Sequence, residues 1–304
     1  GVGKYGHEPE IFKCGALAES LYRVGGWRGN MYIMSDSPKI RAYENDFNSL
    51  IEDVRGDGRI KMLKMGDMGQ EAGGRGGSLK ASMLLHPSVK EEILIWHDCD
   101  KLVVKTGCVP ELFRDGPFMF EPATPGDPVA DVLIGTDASN DTCKAAEQSL
   151  VQRSGLAKPS HFCGDSIHIG VMAVQRNNSE EMMARWLSRI NRVPKFDRYT
   201  LYDTWKLDSR RQRKNQPQSR PKAFSVQQLP AGLCQGNRAC DPMWSGGEKK
   251  GCIMHLTNKR MSVKRAQQNI STLVKSLGLT LQSNKITGAY LAHKDYLKKK
   301  LINI

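Results

Sequence analysis

The stretch EILIWHDCDKLVV, Glu92 to Val104, decides how the rest of this chain is read. Four of the five residues from Ile93 to His97 are apolar, as in a strand buried on both faces. Asp98 and Asp100 then flank Cys99, and apolar character returns at Leu102. If the segment stays extended, residues two apart point the same way, so both carboxylates converge on one point. Two adjacent carboxylates repel unless a cation sits between them. A hard divalent ion, Mn²⁺ or Mg²⁺, sharing oxygen ligands with a substrate phosphate, relieves that repulsion. The bland alternative is an exposed turn that happens to carry two aspartates. The apolar strand in front argues against it, because strand ends are the ligand edge of an α/β sheet.

Outward from this stretch, strand-like and helix-like segments alternate. Leu17, Leu21 and Val24 share a helical face in Gly15–Val24, and Gly25-Gly26 stops that helix. Asn30–Ser35 reads as a strand, with Asp36-Ser37-Pro38 as a turn. Phe47, Leu50, Ile51 and Val54 give Tyr43–Val54 a helical face, and Arg59–Met65 alternates like a strand. A glycine-rich run, Gly66–Gly77, leads into the helix SLKASMLL. Asp131–Gly135 and Ser166–Val174 read as strands. Asn178–Ile190 reads as an amphipathic helix, with Asn178 and Glu181 spaced as a capping box. A late helix is expected over Ser262–Leu277, stopped by Gly278. The pattern predicts one α/β domain over residues 1–280, a mostly parallel sheet flanked by helices. Residues 208–222 form an inserted polar, basic loop, and residues 281–304 a basic tail.

Composition bounds the function. The 304 residues carry a formal net charge of +13, which suits phosphate-bearing or other anionic partners. Aromatic residues make up 7% and do not interleave with the basic runs, so base stacking on nucleic acid is not expected. No run of 18 apolar residues occurs, and the first residues lack the apolar core of a signal peptide. An upstream membrane anchor beyond the given chain stays open. None of the eight cysteines is in a CxxC pair, which argues against a zinc ribbon. Cys234, Cys240 and Cys252 lie near one another, and two of them could bridge in an oxidising compartment; free buried thiols are the equal alternative. Sequons begin at Asn140, Asn177 and Asn269 and permit a secretory lumen. Gly73–Lys80, GGRGGSLK, does not have the spacing of a phosphate-binding P-loop.

A third metal ligand is sought among the apolar-led polar clusters. In GCIMHLTNKR, Gly251–Arg260, a neutral imidazole at His255 can complete a metal site, and Lys259, four residues on, can meet a diphosphate as a point charge. Taken singly, His255 is better explained as a satisfied core histidine and Lys259 as a solvated surface charge.

The order of these parts resembles the GT-A type glycosyltransferases, in particular the retaining family of glycogenin and the bacterial lipooligosaccharide galactosyltransferases. GALAESLYRVGG followed by NMYIMSD resembles that family's first helix and second strand. SLKASML resembles the helix whose basic residue, Lys80 here, faces the donor. ILIWHDCDKLVV resembles its D-x-D strand, SIHIGVMAVQRN its F-N-S-G-V-M strand, and HLTNKR its late H-F-T-G-x-x-K-P-W element. The likeness spans most of Gly15–Gly278. It implies a GT-A (Rossmann-like) fold and transfer of a sugar from a nucleoside-diphosphate sugar, a UDP-sugar foremost, to a carbohydrate or glycoconjugate hydroxyl with retention.

By the same resemblance Asp98, Asp100 and His255 hold Mn²⁺ (or Mg²⁺), and Lys80, Asp98, Lys259 and Arg260 contact the donor. Asp137 and Asp197 lie near the reacting sugar, with Asp203 the competing match for Asp197. A Golgi or other secretory lumen is the implied compartment, with the cytoplasm as the alternative. The chain departs from the pattern at His97, His168, Arg198 and Arg260-Met261. The family's first nucleotide-binding strand is not evident before Gly15 and is expected upstream of the chain start. Two rivals stay open: a nucleotidyltransferase, which also pairs aspartates around a divalent ion, and a non-catalytic or degenerate protein that binds polyanions through its basic runs.

Overall fold

The computed structural model describes residues 8–35, 40–64, 76–107, 109, 132–136, 167–192, 200, 201, 204, 226–228, 252–255 and 271–280. The chain enters through helix α1 (Glu8–Glu19), which widens into a π-helical turn over Ser20–Val24, closed by the Gly25 N–H donating to the Ser20 carbonyl. Gly25 and Gly26 end it, as their position implied, and Gly26 takes a φ of 79° that a side chain would resist. A Cβ on Gly25 would lie 2.6 Å from the Leu21 carbonyl and 2.7 Å from Val109, so only glycine lets these backbones approach.

Strand β1 (Met31–Ser35) follows, then a 3₁₀ turn (Ile40–Tyr43), α2 (Glu44–Ser49) and β2 (Ile60–Lys64). The predicted helix over Tyr43–Val54 ends early in turns, yet Phe47 and Ile51 are buried as its apolar face required. β1 and β2 pair in parallel.

The second part runs through α3 (Gly76–Leu84), β3 (Ile93–His97), β4 (Lys101–Val103), β5 (Val132–Thr136), β6 (Ile167–Gln175), α4 (Arg176–Arg192), β7 (Val226–Gln228) and β8 (Ile253–His255). One four-stranded sheet has the order β3-β6-β5-β7. β6 is antiparallel to both β3 and β5, β5 is parallel to β7, and β4 is antiparallel to β8. The expectation of a mostly parallel sheet is therefore corrected: of the five strand pairs among the described residues, two are parallel and three antiparallel. Alternating strand and helix signals do not show strand direction: β6 runs between two neighbours that go the other way, and β8 runs against β4.

Burial explains why β6 reads as an unbroken apolar run. Val171 and Ala173 pack with α1 residues in one core, while Met172 and Val174 pack with Met182, Met183, Trp186 and Ile190 of α4 in another. Successive residues of a strand face opposite sides, so a strand covered by helices on both faces has no polar positions. α4 begins at Arg176, two residues before the expected cap. The Asn178 Nδ2 donates to Gln175 Oε1 at 2.6 Å, and the Ser179 hydroxyl donates to the Gln175 carbonyl at 2.7 Å, so Asn178 is not an N-cap. Residues 271–276 are helical, and Leu273 and Val274 are buried against Leu102, in line with the late helix. The edges of β1 and β3 both line a largely apolar cavity of about 460 Å³, with Leu17 and Leu21 of α1 beside them.

Candidate functional site

β3 ends at His97, and residues 98–100 form a turn into β4 rather than a continued strand. The premise that Asp98 and Asp100 converge because the segment is extended is thus corrected. They sit together in a turn instead, where the Asp100 charge acts on Asp98. Cys99, between them, is bonded to Cys14 of α1, closing a loop over a separation of 85 residues. This bridge was not foreseen. Cys252 is also disulfide-bonded, with its partner outside the described residues.

Asp98 is held on two sides. Lys80 Nζ, from α3, lies 3.1 Å from Asp98 Oδ1, and the Trp96 indole N–H donates to the same oxygen at 2.9 Å. The ammonium also lies 5.9 Å from the centre of the Trp96 ring. Burial alone would push the Asp98 carboxyl up. The Lys80 charge opposes this, Asp100 works against Lys80, and Lys101 and the Trp96 hydrogen bond assist it; the net result lies below the ordinary carboxylate range. Lys80 was expected to face a donor, and it stands against the expected donor-binding carboxylate.

His97, the departure just before the turn, is neutral through most of the pH scale. Burial drives its pKa down to about 4, helped by the Lys101 charge and opposed by Asp98. Its Nδ1 has no hydrogen-bond partner among the described residues.

The late element meets this corner through β8. Lys101 stands opposite His255 in the β4–β8 register, so the backbone of His255 is one residue along from Asp100 and across a strand pair. The backbones of Asp98, Asp100 and His255 thus lie near one another. Among the described side chains, no group of three or more His, Cys, Asp or Glu surrounds a common point; the His255 side chain is outside the description. Asp137, Asp197, Asp203, Lys259, Arg260, Arg198 and the loop 208–222 also lie outside the described residues. For His168 only the backbone is described, within β6.

The turn is supported from behind. Val103 N–H donates to the Ser20 hydroxyl at 3.1 Å, and Val104 N–H to the Cys252 carbonyl at 2.9 Å. Lys101 was not singled out by the sequence reading. It is fully buried, and its Nζ has no hydrogen-bond partner among the described residues. A lysine directly after a paired-aspartate turn, with two valines close behind, was the signal that could have found it.

No family model matches the chain, and no curated protein matches it. Among solved structures, the apo form of mouse Xyloside xylosyltransferase 1 is 14% identical with a TM-score of 0.44, the match covering 81% of this chain and 92% of that one. The apo form of the glycosyltransferase GlyE from Streptococcus pneumoniae TIGR4 is 11% identical with a TM-score of 0.48, covering 95% of this chain and 62% of that one.

Proposed function

We propose that this chain is a glycosyltransferase that moves a sugar from a nucleoside-diphosphate sugar, UDP-linked, to a hydroxyl of a carbohydrate or glycoconjugate acceptor. One observation carries the reading: two carboxylates just past the carboxyl end of β3, a half-buried strand in which only Trp96 is fully buried, flanked by lysines, with the backbone of His255 across the adjacent strand pair. The carboxylate pair fits a hard divalent ion, since like charges held in one turn favour a cation between them. Asp98, Asp100 and His255 would hold Mn²⁺ or Mg²⁺, which when bound supplies charge neutralisation for the departing diphosphate.

The chain's own groups do the rest. Lys80 fixes the orientation of Asp98, and Lys259 and Arg260 add positive charge for the diphosphate. Asp137 and Asp197 are the proposed acidic groups near the sugar. The bond from the anomeric carbon to the diphosphate breaks, the acceptor oxygen bonds to that carbon with retention, and the acceptor's proton leaves with the nucleoside diphosphate. The disulfides at Cys14–Cys99 and Cys252 support an oxidising compartment such as a secretory lumen. Among the described residues, no helix is long and apolar enough to cross a membrane.

Calorimetric titration of UDP with and without Mn²⁺ tests this. Binding should require the metal and fall at least about 100-fold in Asp98→Ala/Asp100→Ala. Incubation with a panel of UDP-sugars should release UDP. Release of pyrophosphate from a nucleoside triphosphate would favour nucleotidyl transfer, and no nucleotide binding under any condition would overturn the proposal.

A further inference from the structure

β3 and β6 lie between the same two helical layers, yet they differ in burial. In β6, Val171, Met172, Ala173 and Val174 are each 2% exposed or less. In β3, Ile93, Leu94 and Ile95 stay half-buried. β6 has a neighbour on each side, whereas among the described residues β3 pairs only with β6, and β1 only with β2. The outer edges of β1 and β3 line the same apolar cavity. Alternate residues of these two strands go to the same layers. Met31 and Ile33 of β1, like Ile93 and Ile95 of β3, join the core against α1. Tyr32 and Leu94 join the core on the opposite face, beside Met83 of α3. Glu91 accepts hydrogen bonds from Asn30 and Tyr32, so the starts of β1 and β3 meet and the strands run the same way. Side chains, not backbones, span the gap between them. The two sheets are therefore one layer interrupted by the place of a single strand, which takes about 10 Å between its neighbours.

We propose that this slot receives one further β-strand, apolar on both faces, supplied by polypeptide joined directly ahead of Gly1. The proposal does not depend on the donor-site reading. The occupant's chemistry follows from the lining. Apolar side chains close the slot on both faces, and the edges of β1 and β3 offer backbone groups on both sides, so the fitting segment is an extended, unbroken apolar run. Its source follows from α1. Cys14, in the second turn of α1, is bonded to Cys99 just past β3, so α1 begins near the carboxyl end of that strand. Beyond its other end, the Tyr22 hydroxyl donates to the Gly29 carbonyl, just before β1 starts. A strand in the slot that runs with β1 therefore ends where α1 begins. That strand, α1 and β1 then repeat the parallel strand–helix–strand unit that β1, α2 and β2 form next in the chain. Residues 1–7, GVGKYGH, hold three glycines and only Val2 and Tyr5 as apolar residues. As a sequence they suit a connection rather than a strand, which places the apolar run ahead of them.

Amide hydrogen exchange reads the slot directly. In the chain of residues 1–304, the fastest amides of β1 and β3 should exchange about 100-fold faster than those of Val171–Val174. A five-residue segment, Val-Ile-Val-Ile-Val, matching β1 and β3 in length, is then fused ahead of Gly1. The fusion should slow those fast amides by about tenfold or more and raise the melting temperature by roughly 5 °C. The same fusion with proline at its centre, which cannot donate to a ladder, should do neither. No slowing in the first fusion, or equal slowing in the proline fusion, would overturn the proposal. Protection of β1 and β3 that grows with the concentration of the 1–304 chain, with a dimer by light scattering, would assign the slot to a second copy and overturn it too. So would protection in the 1–304 chain that already equals that of β6 at every concentration, a result that holds even if the fusions fail to fold. None of these readouts uses UDP or Mn²⁺, so failure of the donor-site reading leaves them untouched.

Discussion

The two ends of β3 each carry a partly buried carboxylate, and they are held in opposite ways. At the start, Glu91 accepts hydrogen bonds from neutral donors, Asn30 Nδ2 at 2.9 Å and the Tyr32 hydroxyl at 2.7 Å. Burial would raise the Glu91 carboxyl, but these bonds outweigh it and hold it below the ordinary range. At the other end, Asp98 is held chiefly by the Lys80 ammonium. The Glu91 end uses its donors to tie β1 to β3, and the described donors there carry no formal charge. The Asp98 end keeps positive charge close to a turn where a phosphate can approach. A carboxylate clamped by dipoles is a staple. One clamped by an ammonium group keeps a formal positive charge beside the turn, and that makes the second end the candidate site.

The disulfide gives the sharpest way to break this contrast, since only the Asp98 end is covalently tied to α1. Closing a loop of 85 residues stabilises by about 4.5 kcal/mol in the chain-entropy view. Cys14→Ser/Cys99→Ser should lose about that much in urea unfolding. Hydrogen exchange should quicken at residues 98–104 more than at Glu91–Leu94. Equal quickening at both ends would mean that the turn is held by its packing, not by the bridge.

The next largest effect is at the staple. Glu91→Ala leaves Asn30 and Tyr32 without their acceptor and should lower stability by about 1–2 kcal/mol. The Tyr32 hydroxyl, pushed up by burial and by Glu91, should then titrate lower. UDP binding should stay at the parent level. A loss of UDP affinity comparable with that of the Asp98→Ala/Asp100→Ala chain would erase the distinction between the two ends.

Much of this contrast was legible in the sequence on one side only. The apolar run of Ile93–Trp96 followed by Asp98 and Asp100 locates the strand end, and the period of 3.6 locates α4. Glu91 was invisible, because its partners lie 59 and 61 residues away, and no local pattern records a pairing at that range. The Cys14–Cys99 bridge was missed for the same reason. The antiparallel strands were missed because apolar runs in helix-covered sheets look alike in either direction. Lys101 was passed over because a lysine is by default an exposed residue, and its burial follows only from the pairing of β4 with β8.

A smaller effect comes from pH. His97 has a pKa of about 4 in the folded chain against an ordinary 6.5. Between those values the unfolded chain binds a proton that the folded chain does not, so stability rises with pH across the window. It is fully present above pH 6.5 and is lost as pH falls toward 4. Because the ring is half-buried, the change should be only on the order of 1–2 kcal/mol. Asp98 and Glu91, both depressed, add their losses below the ordinary carboxylate range. His97→Gln should flatten the limb between pH 6.5 and 4 in urea midpoints and leave the lower limb in place. If the upper limb survives in His97→Gln, the groups responsible lie elsewhere than beside Lys101.

The smallest effect is expected where a carboxylate has a cation but no burial. Asp53 receives two hydrogen bonds from Arg23 at 2.8 Å, which by geometry alone is a better pair than Lys80–Asp98. Its side chain is 63% exposed, so water competes for both charges. Arg23 also donates to the Leu50 carbonyl at 2.7 and 3.1 Å and pairs with Glu19 at 3.2 Å, so it keeps its place without Asp53. Asp53→Asn should therefore leave the melting temperature unchanged within error and leave UDP binding untouched. A clear drop in melting temperature would show that short ion-pair geometry matters here as much as burial. The argument that ranks the Asp98 corner above every exposed pair would then need a different footing.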